Sequence, residues 1–219
     1  PKDVNLQERL GEVVAEIEEP LAQQMIDNNL KEVDIPVSTD VATSGKISTT
    51  FASFTAASSF SQKAGGNSTP FASGNLFANI MANMNLDGAS SATSSSNSKK
   101  KGGKSPIVML HGFDSSCLEY RRLAPLLSKE GYDVYIPDIL GWGFSPLDMQ
   151  DIQSVGPAAK MEHLASFCRS INPGGTVTVV GASLGGAWAC ILAAEEPQLV
   201  DKVILIDAQG FIDGKGPSA

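Results

Sequence analysis

The chain has 219 residues, a net charge of −8, 42% hydrophobic and 6% aromatic side chains. That is enough for one domain with a substantial core, but not for a core running the whole length. The charge is uneven, with net −7 over residues 1–40, +5 over 41–104 and −6 over 105–219; an acidic C-terminal half argues against a nucleic-acid partner, whose phosphates need clustered cations.

Leu6, Leu10, Val13, Val14 and Ile17 recur at spacings of three and four, which predicts an amphipathic helix over 4–19 with an acidic outer face. Pro20 either breaks that helix or begins a second one, Leu21 to Asn29. Residues 1–32 thus read as an acidic helical segment. Residues 33–54 read as extended, with Lys46–Phe54 a strand at a sheet edge. From Thr43 to Ser105, 43 of the 63 residues are Ser, Thr, Gly, Ala or Asn, too little apolar area to offset the entropy of ordering. Residues 55–105 are therefore expected to be low-complexity and largely disordered, Gly88–Lys104 above all, with one short helix at Leu76–Met84. The basic cluster Lys99, Lys100, Lys101 and Lys104 falls in this stretch.

At Pro106 the character changes. Ile107–Leu110 is an apolar strand that ends in His111-Gly112. Leu118–Glu130 reads as a helix with Leu123, Leu126 and Leu127 on one face, closed by Gly131. A second strand, Asp133–Ile136, stops at Pro137. The next helix, Gly156–Ser170, repeats Met161, Leu164, Ala165 and Cys168 at helical spacing. A third strand, Thr176–Val180, leads to a third helix, Leu184–Glu195, and a fourth strand is Val203–Ile206. Apolar strands alternating with helices imply right-handed crossovers and a parallel sheet.

No apolar run is long enough to cross a bilayer. Cys117, Cys168 and Cys190 are odd in number and lack C-x-x-C spacing. Gly141-Trp142-Gly143 lacks the third glycine of a dinucleotide fingerprint, and Gly103-Lys104-Ser105 lacks the first glycine of a phosphate loop, Ser98 standing there. No cofactor and no metal is expected.

The densest signal is Gly181-Ala182-Ser183-Leu184-Gly185, set between a β-branched strand and a helix. A serine in such a turn needs small neighbours, because backbones approach closely and the serine takes a strained conformation with its hydroxyl exposed. Two further motifs also follow strands, where chemistry collects in such sheets: His111-Gly112-Phe113-Asp114 and Asp138-Ile139-Leu140-Gly141-Trp142-Gly143-Phe144-Ser145. In this order the three motifs resemble the α/β-hydrolase family over about residues 106–213. Their wording is similar to plant and algal members that are often plastid-associated.

The resemblance implies that residues 106–219 are a partial α/β-hydrolase domain, the N-terminal half of that fold, preceded by the helical segment and the low-complexity insertion. It implies Ser183 as nucleophile toward a small-molecule ester or related acyl bond, and the backbone N–H groups of Phe113 and Leu184 as the oxyanion hole. His111 would order the oxyanion loop, and Asp138 would fix its glycine loop. Asp207, ending the fourth strand, stands where some members, haloalkane dehalogenases among them, carry the acid that orients the catalytic histidine. His163, mid-helix and before the serine, reads as a core residue.

The family's histidine follows its serine, and neither His111 nor His163 does. The sequence is therefore expected to be a fragment that is inactive alone. The alternatives are a non-catalytic ligand-binding or interaction protein on a partial scaffold, and a non-hydrolytic chemistry such as C–C bond cleavage. Substrate identity, protein partners and oligomeric state are not legible in the sequence.

Overall fold

A computed structural model of the chain describes residues 6–56 and 104–210. The expected Leu76–Met84 helix and all of the Gly88–Lys104 stretch except Lys104 itself lie outside the described residues. The elements below belong to one compact unit, Pro1–Phe60 with Lys104–Ala219.

Two helices open the chain, α1 (Leu6–Ala15) and α2 (Pro20–Asn29). Pro20 begins α2 rather than ending α1, since a missing N–H costs nothing at a first helical position. The Glu19 carboxylate caps α2 by accepting the Ala22 N–H at 2.7 Å. The same carboxylate meets Arg121 at 3.1 Å and Arg122 at 3.5 Å. These contacts fasten the α1–α2 elbow to the segment that follows the His-Gly motif.

Strands β1 (Leu30–Pro36), β2 (Lys46–Phe54), β3 (Ile107–Leu110), β4 (Val134–Pro137), β5 (Val177–Ala182) and β6 (Val200–Ile206) form one sheet in the order β1-β2-β4-β3-β5-β6. Pairing is antiparallel for β1–β2 and β2–β4 and parallel for the rest. The four strands β3 to β6, expected to run parallel, do so, and β1 and β2 add antiparallel pairings that make the whole sheet mixed. The correction falls on β2, which alternates less than it buries. Ile47 and every residue from Thr49 to Ser53 are buried, so it takes an interior place instead of the expected edge. The edge goes to β1, whose Lys31, Glu32, Asp34 and Pro36 are exposed, as suits a strand that must not recruit another. At the opposite edge β6 leaves Leu205 and Ile206 exposed.

The expected helix over 118–130 also divides. A single 3-10 turn, Cys117–Tyr120, precedes α3 (Ala124–Lys129). Pro125 has no N–H to offer an earlier turn, so the α-helix starts there. Helices α4 (Pro157–Ile171) and α5 (Leu184–Glu195) follow β4 and β5 as expected.

The main core joins α4 and α5 to the sheet. Phe51, Val108, Leu110, Leu164, Phe167, Val179 and Leu192 are among its members. Phe167 meets Phe51 edge-on at 5.5 Å, a side chain whose burial contributes about 1.5–3 kcal/mol. His163 sits in this core with Nε2 2.7 Å from Thr49 Oγ1, and burial pushes its pKa down to about 4. Its other nitrogen, Nδ1, is buried without a hydrogen-bond partner among the described residues.

Candidate active site

Among the described residues three that are not glycine have positive φ: Asp114 at 50°, Ser183 at 50° and Asp207 at 45°. They follow β3, β5 and β6, so all stand at the C-terminal edge of the parallel half of the sheet. Such conformations cost about 1–3 kcal/mol each and persist only where the surroundings over-determine them.

Ser183 is over-determined on every side. Its N–H donates to Ile206 O at 3.1 Å, and its carbonyl accepts the N–H groups of Gly186 at 3.0 Å and Gln209 at 2.8 Å. The glycines around it permit close approach and nothing larger. A Cβ at Gly181 would lie 2.3 Å from Gly185 O, and one at Gly185 only 2.1 Å from Leu110 O. Held in this way, the Ser183 side chain is exposed at the mouth of the turn. Ser183 is the N-cap position of α5. Leu184 therefore contributes the first N–H of that helix, and first-turn amides have no acceptor within their own helix.

On the other side lies the loop after β3. A Cβ on Gly112 would be 3.5 Å from Ser183 Cβ, so the two backbones are neighbours. His111, fully buried, accepts the Ile139 N–H at Nε2, 3.0 Å away. Its proton is then on Nδ1, which donates to Gly112 O at 2.9 Å. Burial lowers the pKa of the ring, which keeps this neutral tautomer. Because the peptide bond is trans, fixing Gly112 C=O toward the imidazole sends the Phe113 N–H the opposite way.

The loop after β4 supports both. Asp138 accepts the N–H groups of Cys117 at 2.6 Å and Phe144 at 2.7 Å. Gly143 packs so tightly that a Cβ would come 2.3 Å from Asp138 Cγ. Trp142 stands edge-on to His111 at 6.0 Å and to Phe113 at 5.6 Å. Lys160, buried with no carboxylate paired to it among the described residues, donates to Leu140 O at 2.6 Å and Val155 O at 2.7 Å, and lies 4.8 Å from the Trp142 ring centre. Burial lowers its pKa.

The sequence-predicted site residues Ser183, Leu184 and Phe113 thus come together at one edge. Asp207 lies on the neighbouring strand just past Ile206, which pairs with Ala182, and its side chain is exposed. His163 lies in the core instead. Two residues escaped sequence reasoning. Lys160 carried a weak signal, a lysine between buried Ala159 and Met161 on an apolar helix face. Glu119, which accepts the Gly112 N–H at 2.8 Å, carried none.

The family described as alpha/beta hydrolase fold matches residues 105–216. An alpha/beta hydrolase domain-containing protein of Arabidopsis thaliana, VTE7, is 41% identical over 113 residues, 52% of this chain and 33% of that protein. Lipase 1 of Psychrobacter immobilis is 34% identical over 107 residues, 48% of this chain and 32% of the lipase. The chain spans about one third of the length of these curated relatives. Among solved structures, a membrane phospholipase A has a TM-score of 0.53 at 20% identity, covering 94% of this chain and 47% of that one. A putative lipase of Acinetobacter baumannii has a TM-score of 0.51 at 20% identity, covering 99% of this chain and 50% of that one. At such identities these likenesses show the fold.

Proposed function

Because the chain belongs to the α/β-hydrolase family, we propose that it supplies the nucleophile half of a serine hydrolase acting on an ester or related acyl bond. The observation that carries this reading is the exposed Ser183 at φ 50°, seated between the first amide of α5 and the Gly112–Phe113 peptide. Ser183 Oγ attacks the acyl carbonyl carbon, and the carbonyl oxygen becomes an oxyanion. The N–H groups of Leu184 and Phe113 receive that charge. Preorganised donors of this kind are worth about 2.7–4 kcal/mol each, since they need no reorganisation when the charge appears. Collapse expels the alcohol and leaves an acyl-Ser183 ester, which water then hydrolyses.

The serine needs a base to take its proton. Neither histidine of this sequence is free for that task. His111 is spent on Gly112 and Ile139, and His163 is buried against Thr49. The base is therefore assigned to neither of them. Asp207 is the candidate for the acid that orients it. The lipases among the relatives favour an acyl substrate.

The commitment of both histidines also favours a second reading, a ligand-binding protein that uses the same cradle without turnover. Labelling of the native protein with a fluorophosphonate decides between the two. The hydrolase reading expects one adduct, on Ser183, absent in Ser183→Ala. If the native protein remains unlabelled, the hydrolase reading is lost and the binding reading stands.

A further inference from the structure

Gly112 presents two polar groups to its surroundings, and each is held from a different side. The carbonyl is held by His111 Nδ1–H at 2.9 Å, and the N–H donates to Glu119 Oε2 at 2.8 Å. A glycine peptide is soft, so its orientation is set by such partners and not by its own torsions. Without Glu119, the buried Gly112 N–H would lose its acceptor and turn to find another.

The carboxylate is carried on a rigid mount. The 3-10 turn Cys117–Tyr120 is tied at one end by Cys117 N–H to Asp138 Oδ1, 2.6 Å, and at the other by the Tyr120 hydroxyl to Leu110 O, 2.8 Å. Leu110 O is also the atom against which Gly185 packs. One short stretch of β3 thus supports both the mount and the serine turn. A Cβ on Gly112 would lie 3.5 Å from Glu119 Oε2 and 3.5 Å from Ser183 Cβ, so the carboxylate and the serine both border the open face of this glycine. Glu119 also lines a cavity of about 500 Å3 with Val13, Asp114, Leu118 and Phe144, next to the loop.

A carboxylate so close to a developing oxyanion opposes it through its charge. Its place is explained by what its oxygen accepts. We infer that Glu119 is a positioning residue: its carboxylate oxygen holds the Gly112 N–H so that, with His111 on the carbonyl, the Phe113 N–H stays aimed at the oxyanion. This rests on the hydrolase reading above, and it assigns the acceptor oxygen, not the charge, as the working feature.

Two variants of the native full-length protein separate these features. Glu119→Gln keeps a carbonyl acceptor and removes the charge, whereas Glu119→Leu removes both. The probes are turnover of p-nitrophenyl butyrate, the rate of fluorophosphonate labelling, and hydrogen exchange at the Gly112 amide. Loss of one oxyanion donor costs about 100- to 1000-fold, and misaiming one costs less. Glu119→Leu is expected to lower kcat and the labelling rate by about 10- to 100-fold with KM changed by less than about twofold. Its Gly112 amide should exchange at least about tenfold faster, while Glu119→Gln stays close to wild type in all three probes.

The inference is overturned if folded Glu119→Leu labels and turns over as wild type does, or if Glu119→Gln falls as far as Glu119→Leu. Fast Gly112 exchange in the wild type overturns it whatever the variants do. A wild type that Ser183→Ala silences, beside an unaffected Glu119→Leu, removes this inference alone. A wild type that never labels removes the hydrolase reading and this inference together.

Discussion

In the parallel half of the sheet, β3, β5 and β6 each lead into a residue with positive φ, whereas the antiparallel half, β1 and β2, runs through ordinary extended backbone and turns on Gly45. The antiparallel half is instead fastened by side chains. Ser38 bonds Glu162, Thr43 and Ser44 bond Asp151, and Lys46 pairs with Asp34. One half carries its positive-φ residues at the C-terminal edge, where Ser183 is held by Ile206, Gly186 and Gln209; the other is a scaffold fastened through its loops.

The largest effect expected from this contrast is on activity. Ser183→Ala should cut turnover by roughly 1000-fold or more, with no loss in the urea midpoint; an active variant would break the contrast at its centre. Close approach comes next. Gly185→Ala drives a methyl to 2.1 Å from Leu110 O and should destabilise the fold by about 3 kcal/mol or more. An unchanged urea midpoint would show that the turn is not tightly held.

The scaffold half should respond to acid. His163 is held near pKa 4 by burial, below the ordinary 6.5 of the unfolded chain. The unfolded state therefore binds the extra proton first. Stability is fully present above about pH 6.5 and falls as pH drops toward 4, by roughly 3 kcal/mol in all. His111, lowered by burial as well, adds in the same direction. Urea midpoints measured across that window should decline, and His163→Leu should flatten the decline; a flat wild-type profile would refute it. The smallest effect belongs to the exposed staple. Asp151→Ala removes the acceptor of Thr43 and Ser44, and the melting temperature should drop by no more than a few degrees. A larger drop would mean that the antiparallel half leans on this loop more than its exposure suggests.

Much of the parallel half was legible in advance because its signals are local. β-Branched runs mark β3, β5 and β6, and Gly181, Gly185 and Gly186 announce a strand and helix packed at backbone distance. Asp138 ahead of two glycines announced a braced loop, and the hydrogen bonds to Cys117 and Phe144 supply the brace. The antiparallel half was legible as strands but not as places. Lys46–Phe54 looked like an edge because its own alternation says nothing about a partner such as Pro137. The helix over 118–130 was overdrawn because leucine spacing outweighed Pro125.

The sequence by itself determined most of the strands and helices, the segment over 118–130 excepted, and where a serine must sit in a strained turn, since torsions, volume and periodicity act between near neighbours. Only the tertiary structure decided the strand order, the Thr49 partner of the core residue His163, and the bond from Gly112 N–H to Glu119. Those depend on residues brought together from distant parts of the chain, and a hydrogen bond across such a distance leaves no period in the sequence to be read.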